Sequence, residues 1–162
     1  MSDFEQRLQK AVERGQRTSD VRARAEVEKA MSDAELRRLH TQCRLEISEH
    51  IEGCLKKLHR PFPGFEFESV VSDRGWGAAV RRDDVKVGSG RRRTNFYSRL
   101  EMLIRPPGKH YVLDLTAKGT IANKEVFNRN HFQRLTEVDL TTFTERIDLW
   151  ILEYAELYAA KS

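Results

Sequence analysis

Two cysteines, four prolines and no long apolar run mark what this 162-residue sequence lacks. Cys43 and Cys54 fall within one helical segment, about 16 Å apart along its axis. A disulfide needs Cα atoms within about 7 Å, so these two cannot bridge inside a straight helix. Reduced thiols are the expectation, and a disulfide-stapled scaffold is excluded. No stretch approaches the ~20 apolar residues of a membrane-spanning helix. The first ten residues are charged where a secretory signal would be apolar. These absences lead us to expect a cytoplasmic chain with no membrane partner. The prolines sit only at positions 61, 63, 106 and 107, so long stretches are free of helix breakers.

What is present is charge. Charged residues make up 33% of the chain against 39% hydrophobic, which is globular rather than disordered and implies long elements with wet faces. The net charge of +4 is unevenly placed. Residues 61–138 carry 14 basic against 9 acidic side chains, whereas residues 139–162 carry 2 against 5. The positive excess therefore lies in the middle of the chain.

Residues 3–30 are mostly Arg, Lys, Glu, Gln and Ala, with a thin apolar series of Phe4, Leu8, Val12, Val21, Ala25 and Val27. Helix propensity is good, but the stripe is too sparse to bury much. Residues 1–31 are read as a charged helical arm and residues 32–162 as a single α+β domain. Ser32-Asp33-Ala34-Glu35 has the form of a capping box, flanked by Met31 and Leu36 as a hydrophobic staple. It predicts either a new helix or a kink in a longer one. Leu36, Leu39, Cys43, Ile47, Ile51, Cys54, Leu55 and Leu58 then recur at helical spacing, and the helix should stop near His59, ahead of Pro61.

Beyond the prolines the period changes to two. Phe65, Phe67 and Val71 predict a first strand, Ser72-Asp73-Arg74-Gly75 a turn, and Trp76, Ala78 and Val80 a return strand. Arg81 to Val87 reads as its frayed end. Phe96 to Ile104 is a third strand, and Tyr111, Leu113 and Leu115 mark a fourth. Lys118-Gly119 is expected to turn the chain into a weaker fifth strand over 120–127, with another turn at Asn128-Arg129-Asn130. A second box, Thr142-Phe143-Thr144-Glu145, opens a last helix striped by Leu140, Phe143, Ile147, Trp150, Ile151, Tyr154, Leu157 and Tyr158. Connections of hairpin length leave no room for crossover helices. The expected fold is therefore an antiparallel sheet of four to five strands, flanked by a long N-terminal helical region and a long C-terminal amphipathic helix.

Three groups of residues bear on function. The first is a basic strip: Arg81, Arg82, Arg91, Arg92, Arg93 and Arg99, extended by Arg105 and Lys109. Guanidinium forks match phosphate oxygens, Gly88-Ser89-Gly90 offers a hinge, and Phe96 and Tyr97 offer stacking surfaces. Nucleic acid or another polyanion is one candidate partner, held with an affinity that falls steeply with salt. Asp83 and Asp84 interrupt the strip, and arginines on strand edges also serve to block sheet-to-sheet aggregation.

The second group is Leu149 and Leu152, which lie roughly 240° and 180° around the last helix from its apolar stripe, with Leu45 similarly off-face on the earlier helix. Two neighbouring leucines opposite a full apolar face predict contact with another chain, here a homodimer built through helices, with a partner protein also possible. The third group is His40, Cys43, His50 and Cys54. Each His/Cys pair has a spacing that two-ligand metal sites use, but the pairs are too far apart on one helix to share an ion. No metal and no cofactor is expected. Asp114 and Lys118, with Glu68 nearby, assemble no recognised catalytic arrangement, and no phosphate-loop fingerprint accompanies the glycine pairs. The leading expectation is a non-enzymatic interaction module.

Overall fold

A computed structural model describes residues 3–87, 93–109 and 111–161, with the backbone alone for residues 27–32, 86, 87 and 93. The chain divides into two compact units, Met1–Arg38 and Leu39–Ser162.

Helix α1 (Asp3–Lys57) makes up the first unit and continues into the second. No glycine or proline lies between Gly15 and Gly53, and nothing in Ser32-Asp33-Ala34-Glu35 stops a helix already under way. The box therefore opens no new helix: helical backbone passes straight through it. An N-cap needs non-helical backbone, and here there is none. The far end falls where expected. Leu58, His59 and Arg60 donate to the carbonyls of Leu55, Lys56 and Lys57, tightening the last turn ahead of Pro61.

Five strands follow: β1 (Glu66–Ser72), β2 (Gly75–Val87), β3 (Arg93–Ile104), β4 (Val112–Ile121) and β5 (Lys124–Arg134). They pair antiparallel in chain order, β1-β2-β3-β4-β5. A short 3-10 turn (Leu135–Glu137) leads to helix α2 (Leu140–Lys161). The α+β class and the five-stranded antiparallel sheet match the expectation from periodicity.

Several boundaries differ. Arg81 to Val87 is not frayed; it pairs with β3 as far as Val87 opposite Arg93. Lys118 and Gly119 do not turn but lie inside β4, opposite Asn128 and Phe127. Asn128-Arg129-Asn130 likewise lies within β5. The turn is made by Ala122 and Asn123, both in the left-handed region at φ 49° and 69°. A two-residue hairpin with positive φ at both positions matches the twist of its strands. Gly119 is small for another reason: an added Cβ would sit 3.1 Å from the rings of Phe127 and Tyr154. The N-cap of α2 is Asp139 rather than Thr142. Its carboxylate accepts from the Thr141 amide at 3.1 Å and from the Thr142 hydroxyl at 3.1 Å.

Register assigns the faces of the sheet. Ala78, Val80, Leu100, Met102, Ile104, Leu115 and Ala117 share one face and are all buried. Onto it pack Cys43, Ile47, Ile51 and Leu55 of α1, and Phe143, Ile147, Trp150, Ile151, Tyr154 and Tyr158 of α2. The guanidinium of Arg44 lies 4.3 Å from the Trp76 ring, which places this part of α1 over β2. Tyr154 donates to the Thr120 carbonyl at 2.7 Å, which places α2 over β4. The two helices run in the same direction: His50 meets Asp148, and Phe62, just past α1, meets Tyr158. Phe65 and Phe127 complete an aromatic cluster with Tyr154 and Tyr158.

Candidate functional site

The basic strip does not form one surface. Adjacent residues on a strand point to opposite sides, so Arg81 and Arg99 share the face away from the helices while Arg82 lies on the helix side. Phe96 and Tyr97 are split in the same way and make no common stacking platform. Arg81, Arg82 and Arg99 are also engaged by carboxylates. Arg99 reaches Glu68 at 2.5 Å and Glu101 at 2.6 Å, and Arg74 adds a second cation at 3.3 Å from Glu101. Burial opposes the charge of Arg99, yet its hydrogen bonds to Glu101, Tyr97 and Glu68 outweigh that and hold its pKa above the ordinary arginine range. Arg82 binds Asp84 at 2.9 Å, and Arg81 approaches Glu66 at 3.9 Å. Arg91, Arg92 and the hinge Gly88-Ser89-Gly90 lie outside the described residues, as does the side chain of Arg93.

The carboxylate–lysine idea also dissolves on inspection of register. Lys118 lies across from Glu101 in mid-strand, Glu68 is taken by Arg99, and Asp114 accepts from Asn130 at 3.4 Å.

The off-face leucines are as exposed as their helical angle implies. Leu149 is 58% and Leu152 66% exposed on α2, and Leu45 is 58% exposed on α1. In the first unit, Phe4, Leu8, Val12 and Val21 are exposed, and no described residue of that unit is buried. Phe4, Leu8 and Val12 follow at intervals of four and so share one side of the helix.

One cluster unites distant parts of the chain. His50 and Cys54, one turn apart on α1, converge with Asp148 of α2. Nε2 of His50 lies 2.7 Å from Oδ1 of Asp148. The Cys54 Sγ lies 3.5 Å from that same nitrogen and donates to that same carboxylate oxygen at 3.5 Å. A nucleophilic thiol needs an imidazole that takes its proton through one nitrogen while the other is held by an acid. Here both contacts fall on Nε2, which is the wrong geometry for a relay. The thiol is also biased against ionisation: burial, then the hydrogen bond and charge of Asp148, push its pKa up against a smaller pull from Lys57. What the three atoms can do is point at one centre.

The other pair has no such convergence. Cys43 is core, its thiol pushed up by burial and by Glu46. His40 is 2% exposed and hydrogen-bonds backbone at Arg105, while its Nε2 has no partner among the described residues. Sequence reasoning found His50 and Cys54 but missed Asp148, which is 94 positions from Cys54 and carries no local signal.

Among the described residues, no helix is long and apolar enough to cross a membrane. No protein-family model, no curated protein and no solved structure matches this chain.

Proposed function

We propose that this is a cytoplasmic protein-interaction module that self-associates through its helices, with Leu45, Leu149 and Leu152 among the contact residues. The observation that carries the reading is on α2. Its apolar side buries Phe143, Ile147, Trp150, Ile151, Tyr154 and Tyr158, yet Leu149 and Leu152 stand well exposed away from it. Scattered surface leucines are ordinary, but neighbouring ones opposite a filled face favour burial against a second chain. The first unit supports the same reading: it has no buried residue among those described, and Phe4, Leu8 and Val12 line one side of its helix. A polyanion-binding role draws less support, because Arg82 and Arg99 are already held by carboxylates.

Sedimentation of the wild type should give a dimer. The double variant Leu149→Glu/Leu152→Glu should sediment as a folded monomer with unchanged circular dichroism. Dimer affinity should fall about 100-fold or more, because unpaired carboxylates are costly to bury. A wild-type monomer at all accessible concentrations rules the reading out. A 260/280 absorbance ratio raised by co-purifying nucleic acid would favour the polyanion role instead.

A further inference from the structure

The geometry points to a binding site for a divalent transition ion of the zinc class at His50, Cys54 and Asp148, clamping α1 to α2. Three donor types converge there: one imidazole nitrogen, one thiol sulfur and one carboxylate oxygen. In tetrahedral zinc sites the ligand atoms lie about 2.0–2.3 Å from the ion, so their mutual separations are about 3.3–3.6 Å. The two separations involving Cys54 Sγ are each 3.5 Å and already match. The third, 2.7 Å between His50 and Asp148, is a hydrogen bond that must open by about 0.6 Å as the ion enters. The Asp148 side chain is 50% exposed on the surface of α2, which leaves room for that adjustment.

The local sequence suits the role. Positions 50 and 54 are one helical turn apart, which stacks their side chains on one side of α1. The hollow beside them is lined by Glu46, Glu49, Gly53 and Lys57, so acidic groups outnumber the one ammonium. The donor set selects the ion. Thiolate and imidazole suit zinc and its neighbours, whereas calcium and magnesium take all-oxygen shells. On binding, the thiol proton leaves to solvent, and with three protein ligands a water completes the tetrahedron.

Cobalt(II) titration of the full chain tests the site directly, because tetrahedral thiolate coordination gives intense visible bands and a sulfur-to-metal charge-transfer band. The wild type should bind one ion per chain with both features, and zinc should displace it. Cys54→Ser should abolish the charge-transfer band, while Cys43→Ser should leave it intact. His50→Ala and Asp148→Asn should each weaken binding by more than about 100-fold, since losing even an outer-shell partner of a metal ligand costs about 10- to 100-fold. Absence of the charge-transfer band in the wild type overturns the site, as does its persistence in Cys54→Ser. The wild-type spectrum decides the matter even if a variant folds poorly. Sedimentation reports separately on self-association, so either proposal can fail alone.

Discussion

The two units of this chain differ in composition and are held in different ways: Phe4 is the one aromatic residue in the sequence of the first, and the other aromatics all belong to the second. In Met1–Arg38 no described residue is buried, and the apolar Phe4 and Val21 are 65% and 64% exposed. In Leu39–Ser162, Phe143, Ile147 and Tyr154 are fully buried between helix and sheet. The first unit is helical by propensity, through residues such as Glu, Arg, Ala and Gln that lose little entropy in a helix. The second is held by tertiary packing, which supplies most helical stability in proteins. The contrast teaches that helix length and helix anchorage are separate quantities, set by different parts of the sequence.

Aromatic truncation should separate the units most sharply. Phe143→Ala removes a fully buried ring and should cost about 3–5 kcal/mol in chemical denaturation. Phe4→Ala, with the ring 65% exposed, should stay within about 0.5 kcal/mol of wild type in the monomer. Equal losses from the two would mean that the arm is anchored as firmly as the domain.

A glycine substitution should differ in sign as well as size. At Gly119 an added methyl meets the rings of Phe127 and Tyr154 at 3.1 Å, so Gly119→Ala should destabilise by about 1–3 kcal/mol. At Gly15 it meets nothing within 4 Å, so Gly15→Ala should favour the helix by about 0.5–1 kcal/mol, read as increased far-ultraviolet ellipticity. The same sign at both positions would break the contrast.

The smallest effect concerns protons. Burial, reinforced by Arg44 and only partly offset by the backbone at Arg105, lowers the pKa of His40 below the usual 6.5. Burial and then Arg146 lower that of His131, against Asp114. An imidazole with a depressed folded pKa takes up its proton more readily when unfolded. Its contribution to stability is complete above about 6.5 and is lost as pH falls below that value. The unfolding midpoint should therefore drop between about pH 6.5 and 5.5, and His40→Leu should flatten the slope. The first unit contains no histidine, so its helix content should hold steady over the same interval. A wild-type midpoint independent of pH across that interval would contradict the account.

Much of the fold was legible because periodicity is a local property. The stripe expected from Leu36 to Leu58 faces the core from Cys43 onward, although Leu39 is exposed, and the one expected from Leu140 to Tyr158 buries Phe143, Ile147, Trp150, Ile151, Tyr154 and Tyr158. The third strand, expected from Phe96 to Ile104, was equally readable, and alternation puts Leu100, Met102 and Ile104 together in the core. The errors arose where a residue type has two physical uses. Gly119 looked like a turn and is a gap for aromatic rings. Asn128 to Asn130 looked like a turn and is strand, with Arg129 held by Glu153 at 2.9 Å. Ala122-Asn123 did not look like a turn, since alanine seldom adopts positive φ. Ser32 to Glu35 had the letters of a cap but not the helix end that a cap requires.

The sequence by itself determined the element types, the buried side of each helix and the exposure of Leu45, Leu149 and Leu152, because these follow from chain geometry over a few residues. Tertiary structure alone decided that Arg99 is neutralised by Glu68 and Glu101, and that Asp148 meets His50 and Cys54. Those are meetings between segments far apart in the chain. Their geometry depends on how strands register and how helices seat, and no local pattern of residues encodes it.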